Sequence, residues 1–183
     1  MNYFPLKQKC IGITDSETEF LSSYQDVTEI PVLPHPGAFG KQRKHHQHEG
    51  VDLYCAEFSE VVAIEDGLIK DIFPFTGKMV GTPWWNDTWG ILVEGKLGVF
   101  NYGELVPASH LKSGQKIKAG EVLGTIRQVL VKDKNRPMSM LHLEMYVHGT
   151  DKAIASWDNN QDKPEQLCNP TELLMQLANL KNN

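Results

Sequence analysis

The sequence predicts an all-β protein: an antiparallel sheet, folded or sandwiched, with an irregular N-terminal arm and one C-terminal helix. Three observations carry this. Short apolar segments with period-two alternation recur from Val51 onward, glycine-rich turns separate them, and only one stretch has helical spacing. The 183 residues, 40% hydrophobic and 22% charged, have ordinary globular composition, which excludes collagen-like and disordered chains. The length suits one domain with appended arms, divided as 1–47 arm, 48–149 β core, and 150–183 connector and helix.

The elements follow in order. Residues 1–47 read as irregular, punctuated by Pro31, Pro34, Pro36, Gly37 and Gly40 and closing on the polar run Lys41–His46. Val61–Ile64 and Leu68–Ile72 flank Asp66-Gly67, a dipeptide suited to a type I′ hairpin turn. Ile91–Val93 and Leu97–Phe100 flank Glu94-Gly95-Lys96, a second hairpin. Val122 to Val131 reads as a longer strand broken near Gly124, and Ser139 to Val147 as one more. Asn169 fits an N-cap, Pro170 the first helical position and Glu172 a capping box, before a stripe of Leu173, Leu174, Leu177 and Leu180 that packs on the sheet.

Net charge is −5, so nucleic acid is not an expected partner, and no apolar run approaches the roughly 20 residues of a membrane span. The start lacks the basic head and apolar stretch of a signal peptide, so the expectation is a cytoplasmic protein; the alternative is an exported one whose leader was removed. Three cysteines, Cys10, Cys55 and Cys168, close no disulfide framework. They read as reduced thiols, or as a Cys10–Cys55 bridge pinning the arm to the core.

The chemistry gathers at His48-Glu49-Gly50-Val51-Asp52 and Met140-Leu141-His142-Leu143-Glu144. In extended chain His48, Gly50 and Asp52 share one face, leaving room for an ion above the glycine. Alternation likewise puts His142 and Glu144 on the face of Met140. Two imidazoles and one carboxylate with a fourth position left over are the donor set of a catalytic zinc site, since imidazole favours zinc over the hard cations. Glu144 is placed to orient a ligand histidine, or else is a solvated rim carboxylate. The other histidines, His45, His46, His110 and His148, read as surface residues. Gly81 to Gly90 holds Trp84, Trp85 and Trp89; most of this cluster reads as core, with one ring, such as Trp85, available as a groove wall.

These motifs together resemble the lysostaphin/LytM-type zinc peptidases. The likeness covers about residues 48–149 and runs through His48-x-Gly-Val-Asp52, Tyr102-Gly103-Glu104-Leu105, Gly114 to Gly120, Leu123-Gly124 and Leu141-His142-Leu143-Glu144. The segment from His48 to Cys55, with Phe75-Thr76-Gly77, also resembles the leukocyte cell-derived chemotaxin branch, whose secreted animal proteins keep the zinc ligands without known peptidase activity. The resemblance implies a mostly antiparallel β fold, zinc held by His48, Asp52 and His142, and a peptide or peptidoglycan-like ligand.

Two departures make it a degenerate member. The family's His-x-His reads Met140-x-His142 here, and its Tyr-x-His reads Tyr102-x-Glu104. Glutamate accepts a proton; methionine neither shuttles protons nor donates a hydrogen bond. The sequence therefore points to a weak hydrolase with Glu104 as base and Tyr102 beside it, or to a silent binding module using the same groove. Tyr102 shares the strand parity of Glu104, which leaves the core as its alternative place. In a third reading, a sugar-phosphotransfer component of similar sheet architecture, His-x-Gly-x-Asp would flank a phosphorylated histidine.

Overall fold

The computed structural model describes residues 1–7, 30–133 and 138–181. Eleven strands are present among them: β1 His46–Gln47, β2 Val51–Tyr54, β3 Glu60–Val62, β4 Gly67–Thr76, β5 Thr88–Gly95, β6 Val99–Pro107, β7 Lys116–Ile117, β8 Val122–Ile126, β9 Met140–Tyr146, β10 Trp157–Asp158 and β11 Leu167–Cys168. Helix α1, Thr171–Lys181, ends the chain. All pairings are antiparallel. The main sheet runs β11-β9-β6-β5-β4-β7, with β2 on β9 and β8 joining β6 to β3, while β1 and β10 form a small separate sheet.

The core lies on the face where Val51, Leu53, Leu141, Leu143, Tyr102 and Phe100 are buried together. Leu174, Leu177 and Ala178 of α1 pack into it, as the apolar stripe requires, and Asn169 Oδ1 accepts the Thr171 N–H at 3.0 Å as a cap. Phe4 and Leu6 also belong to this core, Leu6 pairing with Val61.

Local signals misled in two places. Asp66-Gly67 makes no hairpin between the segments flanking it. β3 pairs with β8, and β4 with β5 and β7. Asp66 instead accepts from the Ala119 N–H and pairs with Lys118, both at 2.9 Å, and Gly67 lets the Glu94 carbonyl approach to within 2.7 Å of where a Cβ would stand. β8 ends at Ile126 with Gly124 inside it, because any Cβ there would meet the Val106 carbonyl at 2.3 Å. The Glu94–Lys96 hairpin and β9 stand as expected. Cys55 is a buried free thiol that burial pushes up to about 12, and Cys168 is also free; Cys10 lies outside the described residues.

Candidate metal centre

Adjacent strands β2 and β9 set Asp52 directly opposite His142, and His48 enters from the turn after β1. The three side chains are 0%, 5% and 7% exposed for His48, Asp52 and His142. His142 Nδ1 lies 2.8 Å from Asp52 Oδ1, His48 Nε2 lies 3.1 Å from the same oxygen, and the two ring nitrogens are 3.1 Å apart. A tetrahedral zinc with bonds of about 2.0–2.1 Å spaces its donors about 3.3 Å apart. Three donor atoms therefore converge at nearly that spacing.

The outer atoms of each ligand are committed elsewhere. His48 Nδ1 donates to the Ala38 carbonyl at 2.9 Å, so its Nε2 carries a lone pair. His142 Nε2 faces Glu144 Oε1 at 3.1 Å, which assigns that nitrogen the proton. Asp52 Oδ2 accepts from Arg43 Nη2 at 2.9 Å. What remains is two imidazole lone pairs and one carboxylate oxygen pointed at each other. Such a cluster demands a positive charge, either a divalent cation or a proton on His142. Burial opposes a charged His142, yet Asp52 and Glu144 hold its affinity for a proton well above the ordinary imidazole range. Burial likewise opposes the Asp52 carboxylate, but the two histidines keep it well below its usual range. The donor set, the spacing and the fixed tautomers all fit zinc.

Gly50 is required, for a different reason from the one its position in the motif suggests. The space above it is filled by the His142 ring: a Cβ would stand 2.9 Å from His142 Nε2 and 2.5 Å from the Leu143 carbonyl. Phe75 covers the same imidazole, ring centroids 5.5 Å apart. His48 is fully buried with both nitrogens engaged.

Glu104 reaches this face through a bulge. Gly103 and Glu104 together oppose Gly90, between the pairs Tyr102–Ile91 and Leu105–Trp89, and Glu104 takes a left-handed φ of 68°. At the same point β6 exchanges partners, leaving β9 after Gly103 and taking up β8 at Leu105. The extra residue breaks alternation, so Glu104 joins the side of Gly103, whose partner is His142, and leaves the side of Tyr102. Its Oε2 is buried with no hydrogen-bond partner among the described residues. Burial and the Asp52 charge push its carboxyl up to about 8, against the pull of His142 and Arg43.

The bulge also corrects the placement of Tyr102. It lies in the core, 1% exposed, with its hydroxyl accepting the Ile64 N–H at 3.0 Å rather than lining a groove. Met140, half-buried, occupies the metal face beside His142, opposite Tyr54. Glu144 is no rim carboxylate but is 3% exposed. The tryptophan cluster stays out of the core: Trp84 is 62% exposed, and Trp85 and Trp89 are half-buried, with Trp85 bridging to Leu130. The turn at Pro83–Asp87 carries Trp84 and Trp85, while Trp89 lies on β5. Sequence reading missed Arg43 and Asn101, whose roles depend on loop path and strand register that no local motif encodes.

No protein-family profile matches the chain, and no curated protein matches it. Solved structures do. A putative glycyl-glycine endopeptidase LytM from Ruminococcus gnavus aligns over 97% of this chain and 61% of its own, with TM-score 0.54 and 19% identity. The fold is of the LytM type. Lysostaphin aligns over 72% of this chain and 44% of its own, at TM-score 0.46 and 20% identity, and CbpA from L. salivarius over 78% and 87%, at 0.48 and 21%. The LytM-type chain thus spans less than two thirds of the length of the first two. Among the described residues no helix is long and apolar enough to cross a membrane.

Proposed function

We propose that this LytM-type chain is a zinc-dependent peptidase-like protein that hydrolyses amide bonds in peptides of the peptidoglycan kind. The observation that carries the metal is the convergence of His48 Nε2, Asp52 Oδ1 and His142 Nδ1 within 3.1 Å, with every outer atom of the three already bonded. The peptide substrate is drawn from the naming of the structural neighbour as a glycyl-glycine endopeptidase. When bound, zinc would polarise the scissile carbonyl and lower the pKa of an attacking water toward about 7.

The chain's own residues would do the remainder. Glu104, with an unpartnered Oε2 on the His142 side of β6, would take the proton from the water and pass it to the leaving amine. Its raised proton affinity belongs to the metal-free protein, and a nearby dication lowers it. Arg43 would hold Asp52 Oδ2 so that Oδ1 stays turned to the ion. Trp85, at the surface turn, would serve as a groove wall. Met140 contributes no donor, so the reaction lacks one stabilising group and turnover would be slow.

One observation favours a second reading, the silent binding module: the position beside His142 carries a thioether with no proton to give. Turnover separates the two. Zinc-loaded protein incubated with peptidoglycan and with glycine-rich peptides should release new amines, and Glu104→Gln should cut that release by about 10²–10⁴-fold while leaving zinc content unchanged. Absence of release from every substrate would establish the binding module instead.

A further inference from the structure

Both oxygens of the buried Glu144 carboxylate are engaged. Its Oε1 meets His142 Nε2, and its Oε2 accepts from Asn101 Nδ2 and from the Tyr146 hydroxyl, both at 2.7 Å. Strand register puts Asn101 directly opposite Glu144. Tyr146 lies two residues further along β9, where its oxygen also accepts the Ile154 N–H at 3.1 Å. With that donor arriving at the oxygen, the phenolic proton is the one given to Glu144.

Only one end of the Asn101 amide is engaged. It is 0% exposed, and because a carboxylate offers no proton its Nδ2 must be the end facing Glu144. That leaves Oδ1 buried with no hydrogen-bond partner among the described residues. An orphaned buried carbonyl is costly, and a leucine of similar size would avoid it. The amide is retained for what its other end does.

What the network controls is the His142 tautomer. A neutral His142 has two choices. With the proton on Nε2 it donates to Glu144 and offers the Nδ1 lone pair to an ion. With the proton on Nδ1 it donates to Asp52 Oδ1, 2.8 Å away, and no lone pair faces the cluster. Only a Glu144 rotated to present Oε1 to Nε2 favours the first. We propose that Asn101 and Tyr146 are positioning residues that select the metal-binding tautomer of His142, acting through the Glu144 carboxylate they hold. This rests on the metal reading above and adds to it the residues that determine how firmly the ion is held.

The test uses Asn101→Leu, Tyr146→Phe and the double variant of the full chain. Three quantities are read: zinc affinity by competition with a chromophoric chelator, the His142 ring nitrogen shifts of the metal-free protein at alkaline pH, where the ring is neutral, and the melting temperature without metal. Zinc affinity should fall about 10–100-fold in the double variant. The Nε2–H population should drop. Tyr146→Phe strands the Ile154 N–H, so if it fails to fold, Asn101→Leu decides alone. Tight wild-type binding with unchanged affinity and tautomer in a folded variant overturns the proposal. Wild-type protein that takes up no zinc overturns the metal reading and this proposal together.

Discussion

The two sides of the His48–Asp52–His142 cluster are furnished very differently. Behind the ligands each outer ligand atom has a partner: Ala38 on His48, Arg43 on Asp52, and Glu144, itself held by Asn101 and Tyr146, on His142. On the side of Met140 and Glu104 there are, among the described residues, a methionine and a buried carboxylate oxygen without a hydrogen-bond partner. The difference teaches that the groups suited to hold a cation and those suited to process a substrate are supported separately on this fold, the first set closely and the second sparsely.

The strongest way to break this comparison is to remove a ligand. Asp52→Ala should abolish stoichiometric zinc uptake, measured by elemental analysis after gel filtration; one zinc retained per chain would refute the ligand assignment. Next in size is Met140→His. If the sparse side is sparse for want of a donor, restoring one should raise amine release by about 10²–10³-fold, with zinc affinity little changed. An unchanged rate in a folded, zinc-loaded variant would place Met140 away from the reaction centre.

The smallest effect is in pH. Metal-free His142 binds its proton more tightly than an ordinary imidazole, so zinc must displace that proton. Zinc affinity should therefore rise about tenfold per pH unit while His142 remains protonated, then level off. The sign for stability is opposite. His142 is raised, so its contribution to the metal-free fold is fully present below the unfolded imidazole value and is lost as pH rises through the folded one. Thermal melts with and without zinc across that range should diverge as the solution becomes more alkaline.

The sequence made the gathering of His48, Asp52 and His142 legible because Asp52 and His142 lie on strands, where period two fixes the face, and His48 stands just before β2. The same rule misplaced Tyr102 with Glu104, since one inserted residue reverses parity and nothing in Tyr-Gly-Glu announces a bulge. Asp66-Gly67 failed in a related way: a turn dipeptide states what the backbone tolerates, not which strands it joins. Arg43 and Asn101 were invisible for a third reason. Each acts on a residue brought near only by the folded path, Arg43 across a loop and Asn101 across 43 positions of sequence.

The two imidazoles that meet at 3.1 Å stand 94 positions apart, and the Trp157 N–H, further on still, donates to the Glu49 side chain next to the first of them. A partial chain emerging during synthesis therefore carries His48 and Asp52 long before the partner that completes the trio exists. An ion held by this trio would be captured late, after a loop of that length had closed, and its occupancy would report that β2 and β9 have come together.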